Sequence, residues 1–301
     1  MIYPHGNKHN KELYENHTGL VSFFDASLCK LRGDCKKCFG FCCIALYFSA
    51  SEGFPISKEA GNPCVNLKSD FNCSVHKNLR KKGFKGCIAY DCFGAGQKVA
   101  QVTFGGHDWR QVPESAKQMF EVFLIMRKLH EMLWYLTETL TLQPARFIKD
   151  ELSLMLSETD RLTNLNPLSL IVLDVEAHQD DVNSLLLHAS KLVRIKFSLG
   201  QKMPSRLKNT SARRLDLISA DLRRTNLRGA SLRGACLIAA DLRGVDLSGA
   251  DLIGADLRDT DLRGANLIDS IFLTQVQINT AKGDSDTMLP LSLAKPMYWL
   301  K

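Results

Sequence analysis

The chain has 301 residues, 45% of them apolar, 24% charged, and a formal net charge of +7. That composition belongs to a folded globular protein and excludes a disordered polyelectrolyte. No run of about 18 apolar residues is present to span a membrane, and Met1 to Asn10 lacks the apolar core of a secretion signal. A cytoplasmic location is therefore expected, with two or three domains.

The charge is uneven. Residues 1–111 carry 15 basic and 9 acidic groups, 112–199 carry 9 and 12, 200–214 carry five basic groups and no acid, and 215–274 carry seven Arg and nine Asp. Nine of the ten cysteines fall between Cys29 and Cys92. In a reducing compartment that density argues for metal rather than disulfides. Cys35, Cys38, Cys42 and Cys43 form a C-x2-C-x3-C-C run, followed by Cys64 and Cys73 and then by Cys87 and Cys92. Soft thiolates select Zn²⁺ or an iron–sulfur cluster. A structural zinc is the first expectation and a [4Fe–4S] cluster the alternative. Cys29 reads as spare and His76 as a surface or packing histidine rather than a ligand. The run resembles a family of cysteine-cluster domains described as zinc- or iron-chelating. The likeness covers about 35–96 and includes Tyr90-Asp91-Cys92-Phe93-Gly94-Ala95-Gly96-Gln97.

Gly94-Ala95-Gly96 is not a nucleotide fingerprint, because the third glycine and the strand–helix setting are missing. Arg80, Lys81, Lys82 and Lys85 form a basic patch with Phe84 beside it, expected to be a solvated turn rather than a phosphate-backbone site.

From Pro113 the apolar period becomes helical. Met119, Val122, Phe123, Met126, Leu129, Leu133, Leu136 and Leu140 recur at three and four. Ile148 to Leu162 predicts a second helix, Pro167 to Leu173 a short third, and Val182 to Phe197 another long one. Short connections between antiparallel helices imply a bundle. Trp134 and Tyr135 read as core or interface. Glu176, His178, Asp180 and Asp181 open the last helix and read as dipole caps, with no catalytic role assigned. Residues 200–214 then read as a basic linker.

Leu215 to Thr274 repeats every five residues through twelve units of the form small, Asp or Asn, Leu, variable, small. Five matches neither the helical nor the strand period, so the segment reads as a solenoid. It resembles the pentapeptide-repeat family, which implies a right-handed quadrilateral β-helix with four units per coil. Twelve units would give three coils, roughly 14 Å of rod at the β spacing. The resemblance implies that Leu217 through Leu267, then Phe272, point inward with the small residues two before them, and that the other three positions face water. Arg223, Arg243 and Arg263 would stack beside Asp221, Asp241 and Asp261. Ile238, Ile253 and Ile268 break the polar exterior and are expected to touch another part of the chain or a partner. Family members that protect DNA gyrase imitate DNA with a long acidic rod. This short, near-neutral segment does not match that electrostatic pattern. Gln275 to Lys282 is expected to cap the open edge, and the tail to Lys301 is left open.

The expected architecture is thus multi-domain α+β: a cysteine-rich, metal-stabilised domain over 1–111, a helical bundle over 112–199, the linker, the repeat β-helix over 215–274, and a cap and tail over 275–301. The order of these parts, with the phrases CFGFCC, YDCFGAGQ, PESAKQMFEVF and FLTQVQINTAKGD, is similar to bacillus-type pentapeptide-repeat proteins credited with resistance to the nucleoside antibiotic oxetanocin A. A solenoid without a cavity, and a sequence without a nucleophile–base pairing or a Gly-rich phosphate loop, make a non-catalytic binding protein that shields a macromolecular target the first expectation. A zinc or iron–sulfur redox enzyme built on the cysteines is the alternative, and a nucleic-acid binder using the basic regions the second. No catalytic residue is assigned, the partner is unknown, no membrane partner is expected, and a homodimer is left open.

Overall fold

The computed structural model describes residues 28, 30–198 and 215–300. Cys29, the amino-terminal segment and the linker 200–214 lie outside the described residues.

The helices follow their apolar periods. Helix α4 (Pro113–Thr139) starts on the proline, whose missing N–H costs nothing in a first turn, and buries Met119, Val122, Phe123, Met126, Leu129, Leu133 and Leu136. Around it pack α5 (Lys149–Thr163), α6 (Pro167–Ile171) and α7 (Val175–Ser198). Asn166 caps α6, its side chain accepting from Ser169 N–H at 3.0 Å.

The cysteine-rich segment holds only short pieces of helix: α1 (Phe41–Ala45), α2 (Lys85–Ile88) and α3 (Ala95–Lys98). It borrows its core from the bundle. Phe41 stacks on Phe123 with ring centroids 5.4 Å apart, and Phe41, Ile44, Phe93 and Val99 join one apolar cluster with the inner face of α4. Trp109 donates its indole N–H to Phe39 O at 2.8 Å.

The repeats wind into a coil with a twenty-residue turn, which is four units. Parallel bridges join Asp221 to Asp241, Asp241 to Asp261 and Ser231 to Asp251. Leu222 N–H donates to Asp241 O, and Asp241 N–H to Ala220 O, both at 2.9 Å. Each side of the coil is too short for a continuous strand, so among the described residues the pairing consists of isolated bridges. Leu227 through Leu252 and their small partners fill the interior completely. The cap is α8 (Gln275–Thr280). It begins with a capping box in which Thr274 accepts from Gln277 N–H and the Gln277 side chain accepts from Thr274 N–H. The tail packs back: Lys282 and Met288 add bridges to the last coil, and Trp299 is buried against Gly283.

Three expectations need correction. Phe272 is buried, but among the helices: its ring meets Tyr135 edge-on at 5.7 Å, and Leu273 enters the coil's own core instead. Phe272 sits at φ +61°, and its ring leaves the coil to pack on α4. Second, the three outer positions do not all face water, because α7 and the end of α4 cover one side of the coil. Asp251 has no exposed side-chain surface, and Ile253 joins the helical core. Third, the basic patch is not wholly a solvated turn. Arg80 donates to Asn279 O and lies over the Tyr298 ring, and Lys85 pairs with Asp259 at 3.0 Å, so half of it ties the cysteine-rich lobe to the coil's end.

Candidate functional site

Short turns gather the eight described cysteines of the amino-terminal lobe. Asp34 accepts from Lys36 N–H and starts the turn that carries Cys35. Gly40, at φ +67°, reverses the chain so that α1 presents Cys42 and Cys43, with sulfurs 4.0 Å apart. A Cβ at Gly40 would meet Leu67 at 2.6 Å, so the turn also requires the missing side chain. Cys64 N–H donates to Cys43 O at 2.8 Å, and the antiparallel bridge from Leu67 to Cys73 folds the next thiol back. Cys38 Sγ lies against Gly96, where a Cβ would come within 2.5 Å, and Cys92 Sγ lies against Gly33.

The thiols act on one another across the lobe: Cys35 is raised by burial first, then by Cys92, Cys43 and Cys73. Burial pushes Cys38 up to about 12, with Cys92 and Cys35 adding to the rise. Burial likewise pushes Cys87 up to about 12, with Cys43, Cys64 and Cys73 contributing. Cys42 is raised by its hydrogen bond to Cys43, which is lowered by the same bond, with Lys58 also favouring its thiolate. Cys43 is therefore the more readily ionised of the two. Lys58 is itself nearly enclosed, its amine donating to Ile44 O and Glu59 O at 3.1 Å each.

Backbone N–H groups already point at several sulfurs. Gly40 and Phe41 favour the Cys38 thiolate, Val75 and His76 that of Cys73, and Gly94 and Gly96 that of Cys92. Such donors stabilise sulfur-held metals. The donor set fits a soft cation. As placed, however, no group of three or more Cys, His, Asp or Glu among the described residues converges closely enough to hold one. All eight thiols are free, and so is Cys236 in the coil. His76 is exposed, with no ligand role evident from its placement.

A second site, largely missed by sequence reasoning, is the seam between helices and coil. Ser190 of α7 donates to Asp251 Oδ2 at 2.6 Å, and Arg233 donates to the same oxygen at 2.9 Å. Arg194 Nε donates to Gly229 O at 2.9 Å. α7 lands on Gly229 and Gly249, twenty residues apart; a Cβ would meet Arg194 O at 2.7 Å at the first and the Phe197 ring at 2.3 Å at the second. Glu138, half-buried near the end of α4, accepts from Phe272 N–H at 2.7 Å. Ile253 was the legible signal. The paired glycines were the missed one.

The model of the family described as pentapeptide repeats matches residues 205–244 and 240–272, in eight copies. The uncharacterized protein YybG of Bacillus subtilis (strain 168) is 57% identical over 269 residues, which cover 89% of this chain and 95% of that protein. Among solved structures, the pentapeptide repeat protein Rfr23 from the cyanobacterium Cyanothece 51142 is 32% identical over 25% of this chain and 46% of its own, with a TM-score of 0.19. Carrying the repeat and sharing more than half its residues with YybG over nearly the whole length, the chain belongs to the pentapeptide-repeat proteins, in one family with YybG.

Proposed function

We propose that the chain is a non-catalytic binding protein whose coil and buttressing helices present a rigid surface to a macromolecule. The coil is read as the right-handed quadrilateral β-helix of its family, which the twenty-residue register of parallel bridges supports. One observation carries the reading. The coil interior is filled with fully buried Leu and Ala, so the repeats offer outer faces and no internal chamber for chemistry. Shielding of a target is the form that oxetanocin A resistance would then take.

The lobe of cysteines serves this surface as a staple. Cys35, Cys38, Cys42, Cys43, Cys64, Cys73, Cys87 and Cys92 would supply the thiolates. Zinc is the proposed cofactor. When bound, it supplies cross-links that replace the missing secondary structure. Gly40, Phe41, Val75, His76, Gly94 and Gly96 would keep their N–H groups on the sulfurs, and Lys58 would offset thiolate charge beside Cys43.

The test is metal content and the visible spectrum of protein purified without oxygen, followed by incubation with oxetanocin A. Zinc, no visible absorption and no drug turnover are expected. Iron with sulfide and a broad charge-transfer band would replace the staple with a redox centre. Turnover of the drug by the pure protein would overturn the non-catalytic reading.

A further inference from the structure

The helices and the coil do not meet along their whole length. Between α4, α7 and the coil lies a chamber of about 670 Å³. A second, of about 360 Å³, lies between the cysteine-rich lobe, α4, the coil and α8. Glu131, Tyr135 and Gly254 stand in the walls of both, so the two form one elongated cleft. Clefts where lobes meet are common places for small ligands.

Tyr135 is the residue that points to an occupant. It is only 6% exposed. Its ring is held between Phe93 of the cysteine-rich lobe, at 6.5 Å, and Phe272 of the coil, at 5.7 Å. Its hydroxyl is not enclosed with the ring but keeps an open edge at the cleft, whose two chambers it lines. Phenols bond through such an open edge. One fixed in a cleft wall is a ready acceptor and donor for a molecule that enters.

The charges around it say what kind. Four carboxylates line the cleft: Asp91, Glu131, Asp180 and Asp256. Arg258 pairs with Asp256 at 2.7 Å, and Arg233 is held by Asp251 behind the wall. Arg127 lies 3.3 Å from Glu131 and spends its Nε on Asp91 O at 3.0 Å. One guanidinium thus faces two carboxylates and Asp180 stands at the mouth, so with all four carboxylates ionised the cleft has a formal excess of two negative charges; burial works against ionisation of Glu131 until a cation offsets it. The chain as a whole is +7. The larger chamber also has apolar walls in Met132, Leu186, Leu187 and Ile253.

We propose that this cleft binds a small amphipathic organic cation, an amine with an apolar body. The body lies in the larger chamber. The ammonium sits where the chambers join, donating to Glu131, to Asp91 and to the Tyr135 hydroxyl. The inference is independent of the metal and of the macromolecular partner.

The probe is dansylcadaverine, a primary amine on an apolar fluorophore, titrated into the full chain beside its N-acetylated, uncharged analogue. Saturable one-to-one binding of the amine is expected, with the analogue weaker by about tenfold or more, as loss of a partly buried charge pair predicts. Glu131→Gln is expected to erase that preference, and Tyr135→Phe to weaken the amine several-fold. Ser184→Trp, at the exposed wall of the larger chamber, is expected to weaken both probes. It decides the matter even if a substitution at Glu131 does not fold. Unsaturable binding, equal affinity for the two probes, or unchanged affinity in folded Ser184→Trp would overturn the proposal.

Discussion

The coil and the cysteine-rich lobe solve the same problem in opposite ways. In the coil each unit repeats the packing of the one twenty residues before it. In a unit such as 240–244 the N–H groups of Asp241, Leu242 and Gly244 bond to adjacent turns, those of Ala240 and Arg243 bond locally, and the interior closes on itself. In the lobe no helix between Cys35 and Lys98 exceeds five residues, and sheet pairing among the described residues is two isolated antiparallel bridges. Its apolar core is shared with α4. Regular structure is self-supporting by repetition; irregular structure of this size needs a borrowed core and cross-links.

Metal removal tests that contrast most severely. Structural zinc sites in small domains contribute on the order of 10 kcal/mol. Chelation is therefore expected to release hydrogen-exchange protection across 35–98 while amides of the coil, such as Leu242 and Leu247, stay protected. Uniform loss in both regions would mean that the lobe and coil unfold as one unit.

Asp251→Ala cuts the seam instead. The carboxylate accepts from Ser190, Arg233 and Ile253 N–H with no exposed surface. Removing it strands Arg233 and Ser190, and breaking a buried pair in this way costs about 3–5 kcal/mol. A lower denaturation midpoint is expected, with early exposure of α7. Asp251→Asn, which keeps an acceptor for Ser190, is expected to lose less.

Much of this was readable from the chain. The five-residue period marked the coil and its Leu and Ala interior, and the apolar spacing from Met119 to Leu136 marked α4. The Arg and Asp columns were legible because twenty is a multiple of five. What escaped was everything that depends on two periods meeting. The repeat treats Asp251 and Asp241 alike, yet only Asp251 lies under α7. Phe272 occupies a Leu position and turns the other way, because a neighbouring helix offers it room. The lobe's cysteines raised the expectation of a soft metal, but spacing alone could not show which thiols lie together, since Cys92 lies near Cys38 only after the chain has folded back over fifty residues.

Glu138 provides a finer cut at the seam. Burial raises its carboxyl from the usual 4.5 to about 8, against the opposing pull of Phe272 N–H and with Asp251 adding to the rise. The folded protein therefore keeps a proton that the unfolded chain gives up above about 4.5. The resulting stability is fully present below that value and is lost as pH rises through about 8. Glu138→Gln retains an acceptor for Phe272 and removes the titration. Its stability curve is expected to be flatter than that of the parent between pH 5 and 8, with the variant gaining toward the alkaline end by up to about 1.4 kcal/mol for each pH unit. A variant whose curve parallels the parent's would place the titration elsewhere.

The smallest effect is expected where the structure shows the most ion pairs. Arg223, Arg243 and Arg263 each clasp the aspartate two residues before, at 2.7, 2.7 and 2.6 Å, and the first two also reach the aspartate of the next coil, at 3.4 and 3.8 Å. The ladder is regular but open to water, which screens each pair and leaves long side chains to be ordered at an entropic cost. Arg243→Ala is expected to leave the melting temperature unchanged within error at 0.15 M salt, although it removes two pairs. Asp251 at the seam has no exposed surface whereas the ladder's pairs stand in water, and burial, not the number of pairs, sets the size of the response. If Arg243→Ala destabilised the coil as much as Asp251→Ala does the seam, the ladder would be a cooperative network, and the coil's stability would rest on its surface as well as on its filled interior.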